Sequence, residues 1–286
     1  MLTLLARGVL RAVRNLAAIV FAPGLFRRGA LLRAYLPLLG RSLLAAVWSP
    51  RLRRPGRARV LGREVEYLAL VDFTFGFEEM FVDQQYAFPA GAAPVILDCG
   101  SNIGLSLVFF KLAYPDARIT AFEPAPDAIA VLRRNVEGLD GIRVEQKALA
   151  GEAGELEFFA FPGESASPRS GTLPQTGAVR TAVVEATPLS PYVDGPVDLL
   201  KLDVEGRELE VLEELAASGK LASVARIVVE VHHSPSYAQQ SVPRLLALLE
   251  EQGFAYAVRA PLEVDRWRGA GQDFWLYAVR GGAVDG

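Results

Sequence analysis

The chain of 286 residues contains one cysteine and two histidines, and this scarcity excludes several kinds of site. A single cysteine cannot form an intramolecular disulfide framework or supply a cysteine-based zinc cluster. It fits a reducing compartment, so we expect a cytoplasmic protein. We interpret Cys99 itself as a packed side chain, because no neighbour in the sequence would activate its thiol.

Acidic residues are absent from the N-terminal fifth of the chain. Twelve arginines lie between Arg7 and Arg59, whereas the first acidic residue is Glu64. The whole chain has a net charge of −3, so the remainder is correspondingly acidic. This slightly acidic total indicates no nucleic-acid partner.

Long uncharged runs are absent from the same region. Its stretches without charge are residues 15–26, 34–40 and 42–50. All are shorter than the roughly 18 residues that span a bilayer. Arg7, Arg11 and Arg14 recur at helical spacing among apolar residues, which predicts a basic amphipathic helix on the inner face of a membrane, with its arginines outward. The alternative is that the N-terminal helices cap the following domain or pack in a homodimer.

Residues 49–59 are rich in proline, glycine and arginine, which is typical of an exposed connector. We therefore predict two parts, a basic amphipathic helical extension over residues 1–58 and a larger domain over residues 59–286. The larger domain is expected to begin with a strand or hairpin over residues 59–70. A short helix is expected within residues 72–86.

From residue 94 onward, short apolar runs alternate with helical segments, which predicts an α/β fold with a parallel sheet. The predicted strands are residues 95–98, 118–122, 143–146, 156–161, 197–202, 227–231, 254–258 and 274–279. The predicted helices are residues 105–113, 125–137, 207–218 and 243–252. The last two strands are expected to close the sheet as a hairpin. A loop rich in serine, proline and glycine over residues 162–177 is predicted to be a mobile lid.

The segment between the first strand and helix of this sheet reads D-x-G-x-N-x-G. A dinucleotide-binding loop would have a glycine at the position of Asn102. Ligands of open α/β sheets bind beyond the carboxyl ends of the strands, so this loop should line the site. A carboxylate here suits a cationic amino-acid group, and we expect Asp98 to hold the methionine part of S-adenosylmethionine (SAM). The candidate cofactor-binding residues of the loop are Asp98, Gly100, Ser101, Asn102 and Gly104.

A second carboxylate, Glu123, ends the next predicted strand and is followed by Pro124. Its two oxygens can accept hydrogen bonds from both hydroxyls of a ribose. Together, the two strand-end acids indicate a SAM site more specifically than either acid does alone. The alternative is that Asp98 caps a helix and Glu123 is a solvated loop residue.

Four segments resemble the FkbM family of SAM-dependent methyltransferases, and the likeness runs from about residue 73 to the C-terminus. They are DCGSNIG (residues 98–104), AFEPAPD (121–127), LLKLDVEGRELEVL (199–212) and VVEVHH (228–233). The third is the most specific, because methyltransferases in general lack K-x-D-x-E-G. The resemblance implies a Rossmann-like class I methyltransferase sheet, mostly parallel with an antiparallel last strand. It also implies SAM as cofactor and O-methylation of a hydroxyl on a sugar, a glycoconjugate or a natural-product scaffold.

One position departs from the family pattern. After the third strand, members often read A-L-S-D, whereas this chain has Ala150 and Gly151 in the last two places. The acid that would hold the adenine amino group is therefore missing. We predict that Gln146 or a backbone group replaces it.

Methyl transfer requires an acceptor oxygen aligned with the methyl carbon and a group that takes the acceptor's proton. The candidates at the ends of two neighbouring strands are Lys201, Asp203, Glu205 and His232. We prefer Asp203 and His232 as a pair, one as base or hydrogen-bonding partner and the other as its complement. Alternatively, Glu205 is a first-turn helix acid, Lys201 only neutralises carboxylates, and His232 is structural.

Other classes stay open on the sequence alone. A divalent metal held by Asp203, Glu205, Glu230 and His232 is the minority interpretation, and we predict no metal. A nicotinamide-dependent oxidoreductase is disfavoured by the spacing of the glycine loop. A non-catalytic SAM-fold scaffold at a membrane surface is disfavoured by the intact set of strand-end residues. Amine acceptors need a similar base and also fit.

Overall fold

The computed structural model describes residues 2–21, 24–47, 54–161, 170–174, 177–232, 241–260 and 273–281. The chain divides into two compact units. The first unit comprises Met1–Phe88, Ile103–Pro115 and Ala130–Gly138, and the second comprises Pro89–Asn102, Asp116–Ile129 and Leu139–Gly286. The predicted domain boundary near residue 59 stays a prediction.

The first unit is helical apart from one hairpin. Its helices are α1 (Leu2–Phe21), α2 (Arg28–Val47), α3 (Leu70–Phe77), which continues as a π-helical turn over Glu78–Val82, and α4 (Leu105–Ala113). The hairpin pairs β1 (Gly56–Val60) with β2 (Arg63–Tyr67) and confirms the expectation for that region. Aromatic rings fill the core, where Phe77 stacks on Phe81 and Phe81 meets the edge of Phe109.

One arginine on α1 departs from the expected outward orientation, whereas Arg14 is exposed as expected. Arg11 does not point outward, because its guanidinium lies 2.6 Å from the buried carboxylate of Glu78. Arg14 lies 3.4 Å from Asp83. The buried side chains of α1 include Ala12 and Ile19. Among the described residues, no helix is both long enough and apolar enough to cross a membrane.

The second unit contains a seven-stranded sheet in the order β11-β12-β10-β9-β3-β4-β5. Its strands are β3 (Val95–Cys99), β4 (Arg118–Phe122), β5 (Ile142–Glu145), β9 (Leu199–Leu202), β10 (Arg226–Val231), β11 (Phe254–Arg259) and β12 (Phe274–Arg280). The five strands from β10 to β5 are parallel to one another, whereas β12 runs antiparallel to both of its neighbours. This confirms the mostly parallel sheet with an antiparallel last strand.

Helix α5 (Pro126–Asn135) follows β4 and has residues in both units. The leucine-rich helices α6 (Glu208–Ala217) and α7 (Val242–Glu251) pack against the sheet. Leu212 on α6 and Leu245 on α7 are fully buried in the same cluster as Leu200 of β9. Each fully buried leucine contributes roughly 1.5–3 kcal/mol of hydrophobic stabilisation. This packing fixes the strands whose ends carry the candidate site.

A second, three-stranded sheet was not predicted. It has the order β6-β8-β7, with β6 (Ala148–Leu149), β7 (Gly154–Ala160) and β8 (Val179–Thr187). The expected strand at 156–161 corresponds to β7, but β8 is missing from the sequence-based assignment. The first half of β8 is largely exposed, so its apolar residues do not form the buried run by which core strands are recognised. The predicted lid falls between β7 and β8, and its residues 162–169 and 175–176 lie outside the described residues.

Candidate active site

The neighbouring strands β3 and β9 approach each other closely beyond their carboxyl ends. Gly100, just after β3, has a φ of +88°, which a glycine adopts without strain. A Cβ at Gly100 would collide with the carbonyl oxygen of Asp203, just after β9. The glycine is therefore required because backbone from two strands occupies the space of a side chain.

A pocket opens over these strand ends, as expected for an open α/β sheet. The residues that line it are Gly100, Asn102, Phe122, Glu123, Pro124, Ala125, Ala128, Lys147, Ala148, Leu149, Ser170, Gly171, Thr172, Asp203, Val204 and Glu205. The predicted site residues among them are Gly100, Asn102, Glu123, Pro124, Asp203 and Glu205. The predicted site residues outside this lining are Asp98, Ser101, Gly104, Gln146, Lys201 and His232.

Glu123 lies at the end of β4 with one carboxylate oxygen held by each of two backbone amides. Asn102 N donates to Oε2 at 2.7 Å, and Ala125 N donates to Oε1 at 2.8 Å. Burial raises the pKa of Glu123 to about 7, although these two amides lower it. A carboxylate has about four acceptor positions, so each oxygen keeps one for a ligand hydroxyl. The geometry fits a ribose diol.

Behind the pocket, Lys201 neutralises the carboxylates around it. Its Nζ lies 3.3 Å from Asp98 Oδ1 and 3.5 Å from Asp203 Oδ2, and it donates to the carbonyl oxygen of Gly100 at 2.8 Å. Lys201 and Asp98 are both buried. These contacts fit the neutralising role proposed for Lys201. The buried Ser101 donates to the Asp98 carbonyl oxygen at 3.0 Å, so it braces the loop.

Two other predicted contacts stay predictions. Gln146 is exposed, whereas the neighbouring Ala148 and Leu149 line the pocket where an adenine ring would need a partner. These positions favour the backbone alternative over the Gln146 side chain. Gly104 begins α4 in the first unit with a φ of +81°, so its requirement is conformational.

His232 follows β10 and stands between three carboxylates. Its Nε2 lies 3.5 Å from Glu205 Oε2 and 3.9 Å from Asp203 Oδ1, and its Nδ1 lies 3.1 Å from Glu208 Oε1. Burial by itself would lower the pKa of His232, but Glu205, Glu208 and Asp203 together raise it well above its ordinary value. His232 therefore lies outside the pocket lining, beside the two acids, Asp203 and Glu205, that do line it.

Glu205 owes its position to an unusual backbone conformation. Its φ is +56°, a region that few residues other than glycine occupy. Glu205 precedes α6 by three residues, so the alternative of a first-turn helix acid is wrong. The turn instead directs its carboxylate to His232 at the edge of the pocket.

The side chains of Asp203, Glu205 and His232 could also hold a divalent cation. One donor atom from each lies within 4.8 Å of the others. Two carboxylates and an imidazole suit several divalent metals. Glu230, the fourth residue of the sequence-based metal alternative, is not a member of this group. The expectation of no metal stays a prediction.

Sequence reasoning missed two kinds of site residue. Glu208 is completely buried, and its Oε1 accepts from Val204 N at 3.0 Å and Gly206 N at 3.1 Å as well as facing His232. Its position within the most specific family-like segment was the available signal. Lys147 and residues 170–172 also line the pocket. The sequence offered a signal for Lys147, which lies just after a parallel strand, but none for residues 170–172.

The order of the seven strands, with a pocket over the ends of β3, β4 and β9, defines a class I methyltransferase fold. The model of the FkbM methyltransferase domain matches residues 98–256, and the chain belongs to this family. It is a SAM-dependent methyltransferase, and SAM is its cofactor. The alternatives of an oxidoreductase and a non-catalytic scaffold are therefore wrong.

Three methyltransferases are among the relatives to which this chain is similar. Methyltransferase sdnD of Sordaria araneosa is 34% identical over 228 residues, which cover 65% of this chain and 84% of that protein. The 31-O-demethyl-FK506 methyltransferase FkbM of Streptomyces tacrolimicus is 28% identical over 183 residues, covering 60% and 70%. The hexuronic acid methyltransferase AglP of Haloferax volcanii is 30% identical over 139 residues, covering 48% and 56%.

Proposed function

We propose that this enzyme methylates a hydroxyl oxygen of a sugar, a glycoconjugate or a natural-product scaffold. The observation that carries the proposal is the pair Asp203 and Glu205, which line the same pocket as Glu123, whose carboxylate is held by two backbone amides. The names of two relatives support this range, one acting on a hexuronic acid and one on a demethylated FK506. We also propose a cytoplasmic location, which rests on the single cysteine.

SAM, when bound, supplies a methyl group on a cationic sulfur. We propose that Asp203 accepts a hydrogen bond from the acceptor hydroxyl and takes its proton at Oδ1 or Oδ2. Because the acceptor oxygen becomes strongly acidic as its bond to carbon forms, a carboxylate is a sufficient base. We propose that Glu205, which also lines the pocket, orients the acceptor.

His232 acts from behind this pair. Glu205, Glu208 and Asp203 raise the pKa of His232, so we propose that the imidazole is protonated and, at 3.9 Å from Asp203, stabilises the negative carboxylate before the proton arrives. Lys201 of β9, whose Nζ lies 3.5 Å from Asp203 Oδ2, has the same effect on this carboxylate. In this assignment Asp203 is the base and His232 its complement, which is one of the two arrangements expected from the sequence.

Calorimetric titration with S-adenosylhomocysteine, and separately with NADH, tests the cofactor site. We expect micromolar binding of S-adenosylhomocysteine, no binding of NADH, and at least about a tenfold loss of affinity in Glu123→Ala. The exposed Glu155→Ala is the matched control and should bind normally. Binding of NADH, or equal affinity in both variants, would contradict the assignment of Glu123.

An acceptor screen with methyl-labelled SAM tests the chemistry. Sugars and hydroxylated natural products should accept label, and mild base should not release it as it would from an ester. We expect Asp203→Asn to lower kcat by about a hundredfold or more while S-adenosylhomocysteine still binds. Labelling of amines but not of hydroxyls would overturn the O-methylation proposal.

A further inference from the structure

One exposed side of α1 is apolar, and the exposed Arg14 lies beside it. At 3.6 residues per turn, one side of the helix carries Val9, Leu10, Val13, Val20 and Phe21. Leu10 is 72% exposed and Phe21 is 78% exposed. The opposite side, which includes Ala12, Asn15 and Ile19, is buried within the first unit. A surface helix normally presents polar residues to water, so this face is suited to contact something apolar.

Exposed apolar side chains are concentrated in this part of the chain. Of the twelve large hydrophobic side chains that are exposed among the described residues, six lie between Val9 and Leu25. The others are distributed along the chain from Leu36 to Val258. Scattered exposed hydrophobics are normal, whereas a contiguous patch marks an interaction surface.

Positive charge follows directly at the end of this helix. Arg27, Arg28 and Arg33 are exposed and, among the described residues, make no ion pair with a carboxylate. Arg11 is different, because it is committed to the buried Glu78. No acidic residue precedes Glu64, so no carboxylate close in the sequence compensates this positive charge.

We propose that α1 lies in the interface of an anionic lipid bilayer, with Val9, Leu10, Val13, Val20 and Phe21 in the boundary between headgroups and acyl chains. Such a surface offers apolar contact and negative charge together, which is the combination this segment complements. Phe21 and Leu25 would enter the lipid, while Arg27 and Arg28 would bind the lipid phosphates beside them.

A second copy of the chain fits this face less well. Symmetric pairing through α1 would bring two segments together, each with twelve arginines and no acid before Glu64. Like charges at close range oppose such an interface. The proposal also does not depend on which acceptor the enzyme methylates.

Vesicle co-sedimentation of the full chain tests the proposal. We expect the protein to bind vesicles of phosphatidylcholine with one-third phosphatidylglycerol, and to bind pure phosphatidylcholine about tenfold or more weakly. Binding to the anionic vesicles should fall in 0.5 M NaCl, because salt screens the arginines.

Two pairs of variants separate the apolar from the electrostatic contribution. Leu10→Glu combined with Phe21→Glu should raise the lipid concentration needed for half-saturation about tenfold or more, whereas Val183→Glu combined with Val258→Glu should not. Arg27→Glu combined with Arg28→Glu should have a similar effect, whereas Arg118→Glu combined with Arg133→Glu, at exposed positions elsewhere, should have much less. Circular dichroism and S-adenosylhomocysteine binding verify that each variant is folded.

The outcomes are distinct from those of the catalytic proposal. Absence of vesicle binding, or equal binding by the α1 variants and their controls, would overturn the proposal that α1 binds a membrane surface. Concentration-dependent dimerisation in light scattering that the Leu10 and Phe21 changes abolish, without vesicle binding, would assign the face to a second copy instead. A failed acceptor screen would leave the vesicle result unaffected.

Discussion

Among single residues, Glu208 has the greatest influence on the site without lining the pocket. One of its oxygens faces His232 Nδ1 and accepts from the amides of Val204 and Gly206, so it fixes both the imidazole and the turn that carries Asp203 and Glu205. Its negative charge also raises the pKa of His232, together with that of Glu205. We therefore assign Glu208 as a positioning residue.

Replacing Glu208 with glutamine separates charge from geometry. The amide oxygen in Glu208→Gln can still accept the same hydrogen bonds, but the negative charge is lost. We expect the pKa of His232 to fall towards its ordinary value and kcat to fall about 10- to 100-fold, with little change in the KM for SAM. Ring resonances of the two histidines measure the pKa directly by NMR.

Glu213→Gln on the same helix is the matched control, since Glu213 is exposed and pairs with Arg244 at 3.1 Å. It should leave both the histidine titration and kcat unchanged. If Glu208→Gln lowered kcat but left the pH–rate profile and the His232 titration as in the wild type, its role would be structural only.

At the scale of elements, the site depends on how closely the ends of β3 and β9 approach. Gly100→Ala adds a methyl group where the Asp203 carbonyl oxygen lies and also forces alanine into a left-handed conformation. We expect a loss of about 2–4 kcal/mol in the free energy of unfolding and strongly reduced S-adenosylhomocysteine binding. Thermal unfolding and calorimetry measure the two effects.

Gly219→Ala provides the comparison for conformational strain alone. Gly219 has a φ of +73°, but nothing lies within 4 Å of the position of its Cβ. It should cost about 1 kcal/mol and leave cofactor binding intact. Equal losses in the two variants would show that the approach of the strands is not what requires Gly100.

The sheet was largely predictable because its strands are short buried apolar runs between glycine turns and leucine-rich helices. The same rule located Asp98, Glu123, Asp203 and His232 at strand ends. It could not reveal β8, whose first half is exposed, or the role of Glu208, whose contact with His232 arises only when α6 packs beside β10. It also could not show that Arg11 is drawn inward, because Glu78 is distant in sequence.

For the whole molecule, the contributions of Glu123 and His232 to stability should fall as pH rises. Glu123 and His232 both have raised pKa values in the folded state, so each binds protons more tightly when folded than when unfolded. Stability due to a raised pKa is fully present below the unfolded value and is lost as pH rises through the folded value. The stability that Glu123 contributes is therefore lost between about pH 4.5 and about pH 7. The stability that His232 contributes is lost as the pH rises above 6.5.

The two windows overlap only between pH 6.5 and about 7, so thermal unfolding of variants between pH 4.5 and 9 assigns each contribution. At about 1.4 kcal/mol per pKa unit, the change across the Glu123 window amounts to a few kcal/mol, or several degrees in Tm. Glu123→Gln should flatten the lower part of the curve and His232→Gln the upper part, whereas Glu155→Gln should leave both. Each variant lacks the group that titrates. Any lowering of its Tm by the substitution itself should therefore not depend on pH within the window of that group. A wild-type Tm that rises from pH 5 to pH 7 in step with Glu123 ionisation would mean that this carboxylate is stabilised as the anion when the protein folds, contrary to the burial that raises its pKa.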